Sequence, residues 1–151
     1  MKRSIHSAPE EGILRELEAN PQVARMKEYI QHGRVTTLEH GERVARMSCR
    51  LNRTLHLRAD EGALARGALL HDFYLYDWHK VNENNWLHGF RHPERAARNA
   101  ALYAGAGEKE QEIIRSHMWP LTLTHIPRSR EAWLVCFADK WCSLEETLFR
   151  R

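Results

Sequence analysis

An all-α, single-domain bundle of about six to seven helices is the fold this sequence predicts, on three observations. Apolar residues recur three and four positions apart in segment after segment, the alternation of half-buried strands is nearly absent, and Asn, Gly and Pro punctuate the chain at helix-length intervals. The 151 residues suit one domain with one core, and 42% hydrophobic against 28% charged residues is the balance of a folded globular chain. No apolar run approaches the ~20 residues of a membrane span. The basic first residues lead into Pro9, Glu10 and Glu11 rather than an apolar stretch, so a cytoplasmic protein without membrane contact is expected.

The elements follow in order. An amphipathic helix covers about 10–19 and stops at Asn20 and Pro21, and helix resumes to about residue 32 before Gly33. Residues 1–35 thus read as a helical extension packed on a core of about 37–148. A longer helix over about 37–56 has a capping hydroxyl in Thr36 or Thr37 and Glu39 in its first turn. The next begins after Asp60, an N-cap candidate, and runs through Leu69 and Leu70 to the pair His71 and Asp72. Residues 76–90 are aromatic, Asn-rich and without helical period, which predicts a functional loop. Pro93 fits the first position of the following helix with His92 just before it, and Gly105 and Gly107 break that helix. Another helix covers about 109–118, residues 120–127 connect, and a last helix covers about 129–149.

Composition narrows the function. The three cysteines, Cys49, Cys136 and Cys142, are odd in number and form no CxxC pair, which argues against a disulfide framework or a thiolate zinc site. The net charge of +3 is spread as Arg among Glu along helix surfaces, so no nucleic-acid-binding stripe is expected. Ten histidines are the unusual figure.

Several titratable residues fall on faces that packing requires to be apolar, where an unpaired charge costs several kcal/mol or so. In the long helix Val44, Met47, Ser48, Leu51 and Leu55 form the inward stripe, and one turn before Val44 stands His40. His71 and Asp72 close the run Ala68, Leu69, Leu70 and precede Phe73. His117 lies on the side of Ile113 and Ile114. Asp139 interrupts a helix that is apolar nearly all round, from Trp133 through Phe137 and Trp141 to Leu144. Each alone reads as a hydrogen-bonded core residue, an ion-paired acid or a helix-end feature. Together they put imidazole and carboxylate groups inward on four helices, which is how bundles build metal centres from nitrogen and oxygen ligands. His92 is also readable as a residue before a helix, and His88 competes with it.

The order His40, then His71 and Asp72, then Asp139 resembles the HD phosphohydrolase superfamily, named for that His-Asp pair. The likeness extends over 37–148, in "LEHGERVARMS", "RGALLHDF" and "FADKWCSLEE". "RHPERAARNA" with His92 and "IIRSHMW" with His117 resemble the subset that adds two histidines and holds two metal ions. The resemblance implies an ion held by His40, His71, Asp72 and Asp139, and a second held by His92 and His117 with Asp72 bridging. Iron, manganese, zinc, cobalt and nickel all suit such ligands. It implies a metal-activated hydroxide attacking a phosphate ester or anhydride, with His71 and Asp72 at the chemistry. Many relatives carry a lysine three residues beyond the pair's aspartate; Leu75 stands there, and Lys80, Arg91 or Arg95 would supply the charge.

A nucleotide or similar small phosphorylated metabolite is the expected substrate, because Tyr74, Tyr76, Trp78, Trp86 and Trp119 could stack on a base, although Tyr74 and Trp119 also read as core and the others as loop cover. Asp77, Glu83 and Lys140 read as surface charges. The alternatives are a phosphodiesterase of the same superfamily and a non-catalytic module that binds metal or nucleotide. A homo-oligomer is compatible with the sequence.

Overall fold

The computed structural model describes residues 8–80 and 88–150, with His88 as backbone only. Seven α-helices among these residues account for nearly all of the regular secondary structure, as the sequence predicts. Helix α1 (Pro9–Glu18) starts with Pro at its first position, where the missing N–H costs nothing, and buries Leu14 and Leu17. The Asn20 side chain accepts from the Gln22 N–H and caps the single turn of α2 (Pro21–Ala24), which tightens into a 3-10 turn over Arg25–Glu28.

Here the expected helix to residue 32 gives way to a small antiparallel ribbon, β1 (Ile30–His32) with β2 (Val35–Thr36). Gly33, at φ 58°, makes the reversal that side-chain-bearing residues resist. Thr36 then caps α3 (Thr37–Thr54): its hydroxyl accepts from the Glu39 N–H at 3.2 Å, and the Glu39 carboxylate accepts from the Thr36 N–H at 2.9 Å. The buried face of α3 runs through His40, Gly41, Val44, Ala45, Ser48, Cys49 and Asn52, while Leu55, expected on it, is exposed just past the helix end.

Asp60 caps α4 (Glu61–Leu70), which is buried nearly all round and ends with His71 as its C-cap. Helix α5 (His88–Ala104) differs from expectation at its start. Pro93 lies inside it rather than at its first position, so His92 is helical. The cost is one i→i−4 bond near the helix start, where few such bonds have yet formed. Gly105, at φ 64°, ends it. Helix α6 (Glu108–Ser116) ends with His117 as its C-cap, and Ser129 caps α7 (Arg130–Phe149).

One buried cluster joins these elements. Leu14, Leu17, Val23 and Met26 from the first thirty residues share it with Val44, Leu64, Leu69, Ile113, Ile114 and Val135. Helices α3 and α4 approach most closely at Gly41, where a Cβ would stand 2.6 Å from the Leu69 carbonyl oxygen. All three cysteines are buried and unpaired with one another. No helix among the described residues is long and apolar enough to cross a membrane.

Candidate metal centre

The inward-facing residues of α3, α4, α5, α6 and α7 meet at one point. His40, His71, Asp72 and Asp139 each offer an atom within 4.8 Å of the others, and so do Asp72, His92 and His117. Asp139 Oδ1 lies 2.9 Å from His40 Nε2 and 3.2 Å from His71 Nε2. Asp72 lies between the two groups. Its Oδ2 is 3.1 Å from His71 Nε2 and 3.7 Å from His40 Nε2, while its Oδ1 is 3.1 Å from His92 Nε2 and 3.4 Å from His117 Nε2. The helical position of His92 is what brings it there.

Two of the imidazoles are oriented by the same local device. Each follows the last residue of a helix, and its Nδ1–H donates to the carbonyl three residues back: His71 to Ala68 and His117 to Ile114, both at 2.6 Å. A carbonyl only accepts, so the proton is fixed on Nδ1 and Nε2 is turned into the centre. His40 is oriented by a carboxylate instead, its Nδ1 donating to Glu146 Oε2 at 2.8 Å. Arg43 in turn donates to the other oxygen of Glu146 at 3.0 Å.

These groups are almost wholly removed from water, and their charge states follow from their neighbours. Burial alone would pull His71 down, but Asp72 and Asp139 outweigh it and hold it well above the usual histidine range. His40 is likewise drawn down by burial and pushed up to about 9 by Asp139 and Glu146. Burial would raise both acids, yet His71 with its neighbours holds Asp72 and Asp139 well below the usual carboxylate range. His117 is pulled down by burial, which Asp72 only partly opposes.

The donor set fits a metal ion. His92 Nε2 and His117 Nε2 face each other at 3.0 Å, and with the His117 proton on Nδ1 its Nε2 presents a lone pair there. Asp72 Oδ1, beside both, is buried and accepts no well-directed hydrogen bond. His117 Nε2 and Asp72 Oδ1 thus stand 3.4 Å apart with a lone pair on each, and two such acceptors side by side are what a cation compensates. Imidazole and carboxylate ligands without thiolate suit the harder and borderline divalent metals.

The centre opens into a cavity of about 790 Å³, with Asp72, His92, His117 and Asp139 in its lining. Trp78, Met118, Leu121 and Leu144 supply apolar wall, and Lys140 is the one lysine or arginine among the described lining residues. Lys140 is exposed, in keeping with its reading as a surface charge, and its ammonium donates to the His117 carbonyl at 3.0 Å. The three cations expected to serve the chemistry lie elsewhere. Lys80 sits on the surface within 4.0 Å of Asp77, Arg95 lies over the Tyr76 ring at 4.8 Å, and Arg91 is exposed; none lines the cavity. Trp86, Glu83 and the side chain of His88 lie outside the described residues.

Three contributors escaped the sequence reading. Gln31, from β1, donates to Asp72 Oδ2 at 2.8 Å and accepts from the Tyr74 hydroxyl. No local pattern marks it, because its position depends on the ribbon. His32 also reaches the cavity, 3.2 Å from the Ser143 hydroxyl. Glu146 did leave a signal: it lies seven residues, two helical turns, beyond Asp139 on the same face of α7.

No protein-family model matches this chain, nor does any curated protein or solved structure.

Proposed function

We propose that this protein is a metal-dependent phosphohydrolase acting on a nucleotide or similar small phosphorylated metabolite, with His40, His71, Asp72 and Asp139 holding one divalent transition metal and Asp72, His92 and His117 a second. The observation that carries the reading is Asp72, whose two oxygens face two different histidine groups while one of them has no hydrogen bond. The family resemblance in the motifs around His40, His71–Asp72 and Asp139 points the same way.

A metal pair in such a place activates water as a nucleophile and withdraws charge from a phosphoryl oxygen. The chain's own groups serve that chemistry in distinct ways. Asp72 and Asp139 are held as carboxylates, so they meet incoming water as acceptors rather than acids. Lys140, fixed against the His117 carbonyl, sets positive charge on the cavity wall where a phosphate oxygen would lie, the role that Leu75 cannot take. Trp78, Met118 and Leu121 give the organic part of the substrate an apolar wall that excludes water.

The test is elemental analysis of the purified protein, followed by phosphate release from monoesters, anhydrides and diesters after metal stripping and reloading with Mn, Fe, Co, Ni or Zn. Metal-dependent turnover that falls at least ~1000-fold in Asp72→Asn and Asp139→Asn is expected. Stoichiometric metal with no turnover of any phosphorylated compound would replace the proposal with a binding module.

A further inference from the structure

Helix α7 has a face that the other described residues leave uncovered. Trp133, Phe137, Trp141, Leu144 and Leu148 are each between 46% and 56% exposed. At 3.6 residues per turn they fall within about 80° of arc, and no charged residue enters that arc between Trp133 and Leu148. The rings are already ordered. Trp133 packs edge-on to Trp119 with centroids 5.3 Å apart, and Phe137 stacks on Trp141 at 6.4 Å. The indole N–H of Trp141 donates to Glu145 at 2.9 Å, so its polar atom is satisfied and its apolar surface faces outward.

We propose that this stripe pairs with the same stripe of a second copy, the two α7 helices running antiparallel about a twofold axis. The spacing of the residues carries the choice of occupant. Positions 133 and 148, and 137 and 144, are equidistant from a point between Lys140 and Trp141. Reversing the helix about that point sets Trp133 against Leu148 and Phe137 against Leu144, ring opposite branched chain, with Trp141 beside the axis. A self-complementary register of large against small is what an isologous interface requires. The intervals of four, three and four from Phe137 to Leu148 are those of a helix–helix seam.

The area agrees. A fully covered Phe or Trp buries 150–250 Å², so the half-exposed stripe with Leu121 offers roughly 500–600 Å². A standard interface takes about 800 Å² from each partner, of which about 65% is apolar in homodimers, so the stripe supplies roughly what is needed. A lipid surface fits less well, because Lys140 flanks one edge and Glu145 the other rather than a row of basic residues. The pairing also bears on the cavity: Leu144 lies both on the stripe and in the cavity wall, so the partner's α7 would extend that wall at its mouth.

The test is sedimentation equilibrium or light scattering of the full chain from about 1 to 100 µM. Twice the 17.8 kDa chain mass is expected. Phe137→Glu and Trp141→Glu each enter the interface twice, so a loss of about 30-fold per ring becomes about 1000-fold in the dissociation constant, and both variants should run as monomers. Leu102→Glu, on exposed α5 surface, should stay dimeric. Dilution of the wild type supplies a readout independent of variant folding, since tryptophan emission from Trp133 and Trp141 should shift red as the dimer separates. A wild type monomeric at 100 µM, whether or not it binds phosphatidylcholine–phosphatidylglycerol vesicles, or a dimer that survives both Glu substitutions, overturns the proposal.

Discussion

Replacing Gly41 by alanine places a methyl group 2.6 Å from the Leu69 carbonyl oxygen, whereas real Cβ atoms essentially never approach closer than 3.0 Å. The obstacle is backbone, so no rotamer change relieves it, and α3 must retreat from α4 by about 0.4 Å or more. Overpacking of this kind costs up to about 3 kcal/mol, while alanine gains about 1 kcal/mol over glycine in helix propensity, leaving a net loss of about 2 kcal/mol. For a chain of this size that lowers Tm by about 4–8 °C. The damage extends to the candidate metal centre, because Gly41 follows His40 and Leu69 precedes His71 by two residues, so the displaced contact sets the spacing of those two imidazoles. Gly12→Ala is the matched control: a Cβ there meets nothing within 4 Å, and the same substitution should stabilise by up to about 1 kcal/mol. Urea denaturation of both variants, with metal affinity measured in parallel, makes the comparison. If Gly41→Ala is as stable as the wild type, the close approach of α3 and α4 is wrong.

Three further outcomes are expected. In metal-stripped protein His40 is raised from 6.5 to about 9, so its stabilising contribution is complete below pH 6.5 and is lost as pH climbs through 9. That amounts to about 3 kcal/mol in urea titrations at pH 6 and pH 9.5, and saturating metal, which requires neutral imidazole, should abolish the decline. Glu146→Ala leaves the buried His40 Nδ1–H unpaired; a loss of about 3 kcal/mol and 10- to 100-fold weaker metal binding are expected by denaturation and competition titration, with Glu146→Gln less affected. Thr36→Ala removes the capping box of α3 and should cost about 1 kcal/mol by thermal melting while leaving metal content unchanged.

Much of this architecture was legible because the signals were local. Caps at Thr36, Asp60 and Ser129 and the breaker at Gly105 bound helices almost where the sequence puts them. The convergence of His40, His71, Asp72, His117 and Asp139 was legible for a different reason: each interrupts a face that packing needs to be apolar. What stayed hidden depends on pairing across the chain. The ribbon at 30–36 is too short to show strand periodicity, so Gln31 could not be placed on Asp72. Lys80, Arg91 and Arg95 have the right charge, but charge alone does not say whether a side chain faces the cavity. The uncovered face of α7 was equally invisible, since an all-round apolar helix reads as buried until its neighbours are counted.

The anchoring of His71 and His117 to carbonyls of their own helices has a consequence for how tolerant the centre is to change. Their aim is written in where two helices stop, with no other side chain needed to hold the Nδ1 proton. Side chains elsewhere on α4 and α6 can therefore vary in identity without redirecting either ring, provided the helices keep their seats. A single-residue insertion or deletion just before either helix end would swing the ring by roughly 100° and empty its place in the centre, so the site should be robust to substitution and brittle to changes in length.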